Sequence, residues 1–436
     1  MLSREDNELL CRVGPGTPMG NLMRQYWVPA GLSSELPEPE GSPLRVRLLG
    51  ESLIAYRTAS GTVGLMQNSC PHRGASMFYG RNEGEGLRCV YHGWKFDVSG
   101  RCMDLPSEPA DSTFKDKVRA TAYPCVERGG LIWAYLGPRA TPPPLPALEP
   151  TMAADCKIQV YQRECNWVQA LEGDIDTGHT VFLHLGGVDP ADVPPGTWAQ
   201  YALSKRAPRY EVVDMPFGVM YGAARPAESD SEYWRIANFL FPFYAMVPTG
   251  VLGLEVRVRA WIPMDDGHTL AITIGLNQPQ APRAAGRQVV GPPETLPNTT
   301  DWYGRFRCVA DETNDYLIDR KAQKTTSYTG INAIFLQDQA VTESMGPIYD
   351  RTSEHLGSSD AMVIRTRKRL VDAAKALRDT GEVPPGVDTP DVYQTRSGGV
   401  VLPTGANWVE ATKELRKAGL KHPHLTRDVL GGLPAV

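Results

Sequence analysis

Short runs of alternating apolar and polar residues dominate the chain up to about residue 137. Turns that contain glycine separate the runs, and this pattern predicts the half-buried strands of a small antiparallel β domain. The runs lie at residues 44–49, 52–56, 63–66, 94–98 and 130–136. We assign residues 43–140 to this domain, because the proline-rich linker Pro142–Pro146 follows it.

Longer alternating segments follow the linker and predict an α+β domain over residues 141–436. They are rich in β-branched and aromatic residues, which favours one antiparallel sheet. The sheet segments are 209–224, 232–247, 254–264 and 268–276. Residues 158–161 predict a further strand.

Three helices are predicted in the second domain. They span residues 166–184, 301–324 and 359–380. The last should begin with Ser359 as its N-cap and end at Gly381. Residues 277–300 are rich in proline and glycine and form a candidate lid loop. No element is predicted in the last fifty residues.

Residues 1–42 predict a helical segment that packs on the second domain. One helix should contain Met23–Trp27. The glycines of Val13–Gly20 come nearest to a dinucleotide fingerprint, but their spacing is wrong and no strand precedes them. The sequence therefore contains no convincing nucleotide-binding loop.

Composition narrows the function classes. The formal charge of −5 and the pI of about 6.0 disfavour a nucleic-acid surface. No apolar run approaches the ~18 residues that span a membrane, and no signal region follows the polar N-terminus. We expect a cytoplasmic protein with neither a nucleic-acid nor a membrane partner. In a reducing compartment, paired spacings among the eight cysteines indicate metal rather than disulfides.

The first chemical motif lies in the β domain. It is Cys70-x-His72, then sixteen residues, then Cys89-x-x-His92. Two thiolates and two imidazoles suit a structural zinc or a Rieske [2Fe–2S] cluster. Each short loop supplies one cysteine and one histidine, so two similar loops can hold a cluster from opposite sides. A zinc ribbon would usually have two Cys-x-x-Cys knuckles, and this favours the cluster.

The second motif is Asp176, His179 and His184. Two histidines and a carboxylate form the facial triad of non-haem Fe(II) oxygenases. Five residues rotate a helical side chain by about 140°, so the helix must end or distort near His184 if both histidines bind one metal. Asp176 could be a ligand or could accept a hydrogen bond from a ligand histidine, and the second role fits better. Asp338 then becomes the candidate third ligand, although a helix-cap or surface aspartate is the simpler interpretation of that residue alone.

Together these motifs resemble the large subunit of Rieske non-haem iron aromatic-ring-hydroxylating oxygenases. Residues 337–347, with Asp350-Arg-Thr and Glu354-His-Leu-Gly, are similar to the phthalate dioxygenase branch. The resemblance covers roughly residues 5–380. It implies a Rieske domain joined to a helix-grip, START-like catalytic domain, and a homotrimer or dimer of trimers.

The resemblance also implies roles for individual residues. Asp338 would be the third iron ligand beside His179 and His184. Asp176 would be an electron bridge to a cluster histidine, His72 or His92, of the neighbouring subunit.

The expected function is that of a terminal oxygenase component acting on an aromatic substrate, most simply a phthalate- or benzoate-type carboxylate. Electrons would pass from NAD(P)H through a separate flavin and iron–sulfur reductase to the Rieske cluster and the mononuclear Fe(II), with O2 as co-substrate. Candidate substrate-binding residues are Arg209, Arg235 and Asn166, although solvent-facing arginines are an equally good interpretation of the first two.

Two other functions are compatible with the sequence. One is a Rieske monooxygenase that acts by O- or N-dealkylation or ether cleavage. The other is an iron–sulfur electron carrier or redox sensor, but such a protein needs no second metal motif.

Overall fold

The computed structural model of the protein describes most of the chain. The described ranges are residues 2–109, 111–193, 195–254, 256–276 and 292–419. Most of the candidate lid loop, residues 277–291, lies outside them. Its remainder is irregular, with one bridge between Thr295 and Cys308.

The described ranges contain both helices and strands, with the following bounds. The helices are α1 Arg4–Cys11, α2 Pro18–Met23, α3 Trp167–Ile175, α4 Thr180–Leu183, α5 Trp198–Ser204, α6 Arg320–Thr325, α7 Ile334–Glu343, α8 Ala361–Thr380 and α9 Trp408–Ala411. The strands are β1 Trp27–Leu32, β2 Leu44–Leu48, β3 Glu51–Arg57, β4 Val63–Gln67, β5 Arg81–Glu83, β6 Gly86–Arg88, β7 Lys95–Asp97, β8 Cys102–Asp104, β9 Ala122–Tyr123, β10 Cys125–Arg128, β11 Leu131–Tyr135, β12 Cys156–Arg163, β13 Arg209–Met215, β14 Gly218–Pro226, β15 Ser231–Leu240, β16 Tyr244–Met246, β17 Arg257–Pro263, β18 Thr269–Leu276 and β19 Gly398–Pro403.

Small antiparallel sheets make up the first domain, as the alternating pattern predicted. Their strand orders are β1-β11-β10, β2-β3-β4-β9 and β5-β6-β7-β8. Strand β1 pairs Trp27 with Tyr135 of β11. The helix predicted to contain Met23–Trp27 was wrong, because α2 begins at Pro18, after its Thr17 cap, and ends at Met23, and Trp27 already belongs to β1. Strand β1 of the N-terminal segment therefore belongs to this domain, whereas α1 and α2 pack against α8 of the second domain, as predicted.

A large antiparallel sheet forms the second domain, and this confirms the prediction of one sheet. Its order is β12-β18-β17-β16-β15-β14-β13, with β19 beside β15. The single strand expected over residues 232–247 is split in two by a turn that contains the Phe241–Pro242 peptide bond. Strand β19 and helix α9 were not predicted. Trp408 of α9 stacks on Trp234 of β15, with 5.4 Å between ring centroids.

One face of the large sheet carries the polar side chains that lie on the side of helix α3. Cross-strand pairing places Arg235 opposite Ala223 and Ala223 opposite Tyr210, so the three share a face. On the same side, Arg259 of β17 donates to Asp174 of α3 at 2.6 Å. We call this α3-covered side the inner face. The other side, which carries Trp234 and is covered by α9, is the outer face.

Helices α3 and α8 are tied together by a buried carboxylate. Glu172 of α3 accepts from Arg367 of α8 at 2.5 and 3.0 Å and from Arg351 at 3.3 Å. Burial alone would raise the pKa of Glu172, but the two guanidinium groups together lower it below its ordinary value. Both arginines are themselves buried, so this ion-pair network fixes α3 against α8.

Two predictions about the later helices need correction. The helix expected over residues 301–324 was wrong, because only α6, at its end, is α-helical. The 3-10 turn Glu312–Leu317 contains three consecutive residues with positive φ, which a right-handed helix excludes. Helix α8 is preceded by Asp360 rather than capped by Ser359, whereas Gly381 ends it in the left-handed conformation, as predicted.

No helix among the described residues has both the length and the apolar character that crossing a membrane requires.

Replacing Glu172 with Gln should lower the free energy of unfolding by roughly 3–5 kcal/mol, because it leaves the buried Arg351 without its counterion, whereas Arg367 keeps Glu354. The full difference between wild type and variant should be present above the ordinary glutamate pKa of 4.5. It should shrink in acid, where Glu172 of the folded wild type also becomes protonated. Urea titrations at several pH values measure it. The control is Asp214→Asn in the half-exposed pair with Arg365, which should cost less than about 1 kcal/mol. Equal losses in the two variants would contradict the assignment.

Candidate metal centres

Two loops of the β domain have the same backbone hydrogen bonds. In each, the cysteine N–H donates to the carbonyl five residues later at 2.8 Å, and the N–H four residues later donates back at 2.9 Å. The loops start at Cys70 and Cys89. Gly74 and Gly93 close them with φ of 76° and 77°, a conformation that glycine adopts without strain. The repeated Cys/His spacing is therefore a repeated loop structure.

The four candidate ligands form two pairs. The Nδ1 atoms of His72 and His92 lie 3.1 Å apart. Burial raises the pKa of the Cys70 thiol to about 11, and the adjacent Cys89 thiol contributes to the rise. No three of these four side chains bring ligand atoms within 4.8 Å of one another, although all four are described. A single tetrahedral zinc needs all four atoms close together, whereas two irons need one sulfur pair and one nitrogen pair.

Aromatic rings hold the two imidazoles. His72 stacks on Trp94 with 4.3 Å between centroids and 10° between planes, and His92 contacts Tyr91 at 3.8 Å. Tyr91 and its neighbour Val90 are more than half exposed. The edge of the molecule that presents both histidines is therefore partly apolar.

The second candidate centre depends on a break between α3 and α4. Helix α3 ends at Ile175, and Asp176 has an extended backbone. The Asp176 carboxylate accepts the N–H groups of Gly178 at 2.5 Å and His179 at 3.1 Å, which caps the new turn. Helix α4, Thr180–Leu183, is only four residues long, and His179 and His184 flank it as N-cap and C-cap. This confirms the predicted distortion, and it lets two histidines five residues apart face one point.

Three ligand atoms converge at that point. His179 Nε2 lies 3.2 Å from His184 Nε2. Asp338 Oδ1, from α7, lies 3.2 Å from His184 Nε2 and 3.6 Å from His179 Nε2. Among the described residues, these three side chains form the one group of histidine, cysteine and acidic residues whose ligand atoms lie close enough to hold a metal ion.

Hydrogen bonds on the far sides of the rings fix both tautomers. His179 Nδ1 lies 3.1 Å from Asp176 Oδ2, and His184 Nδ1 lies 2.8 Å from Gln337 Oε1. Gln337 Nε2 donates to the Ile331 carbonyl at 2.9 Å, so its oxygen must face His184. Both acceptors require a protonated Nδ1, which leaves a lone pair on each Nε2. Two imidazole lone pairs and a carboxylate oxygen then face one another, and a cation is needed between them.

The electrostatics favour a positive charge at the same point. Burial alone would lower the pKa of His179, but Asp176 and Asp338 raise it above its ordinary value. Burial would raise the pKa of Asp338, but His184 and His179 lower it. A site that attracts a proton in this way also attracts a metal ion. Its two nitrogen donors and one oxygen donor fit Fe(II).

Buried hydrogen bonds position the end of α3. Asp174 accepts from Arg259 Nη1 at 2.6 Å and from Trp261 Nε1 at 2.7 Å. Both donors belong to β17 on the inner face. The interruption between α3 and α4 at Asp176 therefore begins at a helix end that is fixed against the sheet.

The three predicted substrate-binding residues lie in different places. Asn166 is buried as the N-cap of α3, and its amide donates to backbone carbonyls of Cys11 and Asp266. Arg209 is exposed on the outer face and pairs with Glu232. Arg235 is buried on the inner face, on the side of the sheet that holds the metal-site residues. The structure therefore brings only Arg235 of the three to that side.

The sequence reading missed two residues of this region. Arg225 is the diagonal neighbour of Arg235 on the inner face, because it lies opposite Tyr233. Gln337 contacts a candidate ligand through its side chain. Its position directly before Asp338 was an available signal, whereas nothing in the local sequence distinguishes Arg225 from a surface arginine.

Two family models match the chain. A Rieske [2Fe-2S] domain model matches residues 26–124, and a model described as LigXa C-terminal domain like matches residues 134–427. The second match extends well past residue 380, to which the motifs had carried the resemblance.

Known proteins are similar over most of their length. The oxygenase subunit of 3-chlorobenzoate-3,4-dioxygenase from Comamonas testosteroni is 46% identical over 433 residues, which is 96% of this chain and 100% of that protein. The oxygenase subunit of phthalate 4,5-dioxygenase from Pseudomonas putida is 38% identical and is covered to 87%, as is this chain. The crystal structure of dicamba monooxygenase bound to dicamba has a TM-score of 0.55 at 19% identity and covers 82% of this chain and 99% of its own. That structure supports the fold alone.

Replacing Cys70 with Ser should abolish acid-labile sulfide and the visible absorption of the purified protein, because the sulfur pair loses one member. Cys102→Ser is the matched control. Cys102 is buried in the same hydrophobic cluster, but its thiol donates a hydrogen bond to the Asp104 carbonyl. Sulfide assays on both variants measure the difference. Loss of sulfide in the Cys102 variant, or its retention in the Cys70 variant, would contradict the ligand assignment.

Proposed function

Because the chain belongs to the Rieske non-haem iron oxygenases, in the phthalate dioxygenase-like branch, we propose that it is the terminal oxygenase component of a system that oxidises an aromatic carboxylate. The observation that carries this proposal is the convergence of His179, His184 and Asp338 in a chain that also contains a Rieske domain. An electron carrier has no use for the second centre.

The residues present fit both metal groups of this family. Cys70, His72, Cys89 and His92 would hold the [2Fe–2S] cluster, and His179, His184 and Asp338 would hold Fe(II). When bound, the cluster supplies electrons and the iron activates O2 for insertion into the substrate. The protein's own part is to orient the ligands, bind the substrate and exclude water.

The substrate class follows from two buried guanidinium groups. Arg225 and Arg235 are both less than 5% exposed. Arg225 donates through Nε to the Lys205 carbonyl, and Arg235 donates through Nη2 to the Pro248 carbonyl. Their other guanidinium nitrogens have no hydrogen-bond partner among the described residues. Burial and the neighbouring Arg235 lower the pKa of Arg225. No carboxylate in the described ranges forms an ion pair with either arginine.

An anion is the natural occupant beside such a pair. Buried charges without counterions cost several kcal/mol, and a planar guanidinium binds a carboxylate through two parallel hydrogen bonds. The hydroxyl of Tyr210, which is buried and has no partner in the described ranges, lies on the same face. Trp198 lies against the Arg235 guanidinium at 4.6 Å and contributes an aromatic wall. A benzoate- or phthalate-type anion matches both features.

Asp176 remains a proposed electron bridge. A carboxylate has about four acceptor positions, and three are used by Gly178 and His179. About a quarter of the Asp176 side chain is exposed. One acceptor position is therefore available to an imidazole N–H from outside the chain. The Nε2 atoms of His72 and His92 face away from their shared Nδ1 contact and could supply that donor.

We also propose that three chains form a ring, because the Asp176 bridge requires a cluster histidine from a neighbouring chain. One exposed apolar patch, Val90 and Tyr91, lies beside the cluster histidines. A different one, in which Tyr328 contacts Phe182 of α4, lies beside the mononuclear site. Contact between two different patches is head-to-tail, and such contacts form a closed ring when the rotation from one chain to the next closes. A dimer of trimers would use the same contact.

The reductase would be a separate protein, because the residues around Gly16 form the turn before α2 and no nucleotide site. None of the eight cysteines, all of which lie in the described ranges, forms a disulfide, and this supports a cytoplasmic location.

Aromatic carboxylates should support oxygen uptake coupled to product when the protein is assayed with a surrogate reductase, and the matching amides should not. The reason is the unpaired positive charge of Arg225 and Arg235. Product analysis distinguishes ring hydroxylation from dealkylation. Equal turnover of neutral and anionic substrates would contradict the carboxylate assignment.

Variants refine the same experiment. Arg235→Leu should lower kcat/KM for the carboxylate at least about 30-fold, or ~2 kcal/mol, with most of the change in KM. Arg209→Leu, on the outer face of the same sheet, is the matched control and should retain activity.

Asp176→Asn should leave both metals bound but reduce turnover to a trace. The amide keeps the hydrogen bond to His179 but loses the charge that faces outward. Stopped-flow measurement of cluster reoxidation, with substrate and O2 present, should find a cluster that stays reduced. Wild-type reoxidation in a variant with full metal content would exclude Asp176 as the bridge.

A further inference from the structure

The two candidate iron-binding histidines are held by different groups. His179 bonds to a carboxylate, Asp176, whereas His184 bonds to a neutral amide, Gln337. Both contacts are at the Nδ1 atom, opposite the converging Nε2 atoms. The second contact is shorter, at 2.8 Å against 3.1 Å.

Two adjacent side chains of helix α7 contact the two ring nitrogens of His184. Asp338 Oδ1 approaches Nε2 at 3.2 Å, and Gln337 Oε1 approaches Nδ1 at 2.8 Å. These two residues are adjacent, and adjacent helical side chains point about 100° apart, so they can reach opposite edges of one ring. One helix therefore supplies both a candidate ligand and the group that orients another.

The Gln337 side chain is fixed from its other end. Its Nε2 donates to the Ile331 carbonyl, and Ile331 is held because its N–H donates to Thr329 Oγ1 at 3.1 Å. The same segment is anchored by the Asp319 N–H, which donates to the Gly330 carbonyl at 2.8 Å. The amide can therefore present only its oxygen to His184.

A neutral acceptor also suits the charge of the centre. Asp338 and Asp176 together carry two negative charges, which balance a divalent ion, while the nearby Asp174 is balanced by Arg259. A third carboxylate at position 337 would leave an uncompensated buried charge. An amide oxygen orients the ring without adding that charge.

We propose that Gln337 is a positioning residue of the mononuclear centre, which fixes His184 in the Nδ1–H tautomer and aims its Nε2 at the metal. The inference rests on the proposed function, because it takes the converging triad as the iron site. Groups that hold metal-ligating histidines in this way typically contribute 10- to 100-fold to metal affinity.

The test is a metal titration of the full-length protein that retains its cluster but has been freed of mononuclear iron by a chelator. Co(II) is the probe, since its visible spectrum reports the ligand geometry. Gln337→Leu removes the acceptor at similar volume and should weaken Co(II) binding at least 10-fold, with an altered spectrum. Gln337→Glu restores an acceptor oxygen and should recover part of the affinity.

Gln339→Leu is the matched control. Gln339 is a buried amide on the same helix, but its side chain donates to Glu343 and touches no candidate ligand. It should bind Co(II) within about twofold of wild type, and the cluster absorption should be unchanged in every variant. Wild-type affinity in Gln337→Leu, or equal weakening in Gln339→Leu, would overturn the inference. Failure of the wild type itself to bind Co(II) would instead overturn the proposed function.

Discussion

Three lone pairs that face one another across about 3 Å are the constraint on which this structure depends. Two imidazoles whose Nδ1 atoms must donate, and one carboxylate, direct three acceptor atoms of His179, His184 and Asp338 at one point. Such an arrangement is repulsive unless a cation occupies it. The break after α3, the capping role of Asp176 and the ion pairs of α3 with the sheet and α8 all serve to hold that arrangement.

Charge is divided between two parts of the inner face. Carboxylates surround the metal triad and favour a cation, as the raised pKa of His179 and the lowered pKa of Asp338 indicate. Farther along β14 and β15, two buried guanidinium groups have the opposite sign and favour an anion. A substrate that carries a carboxylate at one end of an aromatic ring is complementary to this division, because its charged end and its reacting ring need different surroundings.

Local sequence predicted the parts of this protein that local geometry determines. Alternation identified the strands, and the repeated Cys/His spacing identified loops that share their hydrogen bonds. The five-residue interval between His179 and His184 predicted the helix break. Long-range packing was not predictable in this way. Arg209 and Arg235 read alike in sequence, yet strand pairing puts them on opposite faces. Positive φ angles after Asp311 excluded a helix that the composition favoured. Strand β19 pairs with the part of β15 that β16 leaves uncovered, which is a long-range contact.

With these two sets of ligands, one chain should hold two different iron centres. The ratio of iron to acid-labile sulfide in anaerobically reconstituted protein measures this directly. One [2Fe–2S] cluster and one mononuclear ion together require about three irons and about two sulfides per chain. A reproducible value of about two irons and two sulfides, with no further Fe(II) taken up on titration, would contradict the account and leave an electron carrier.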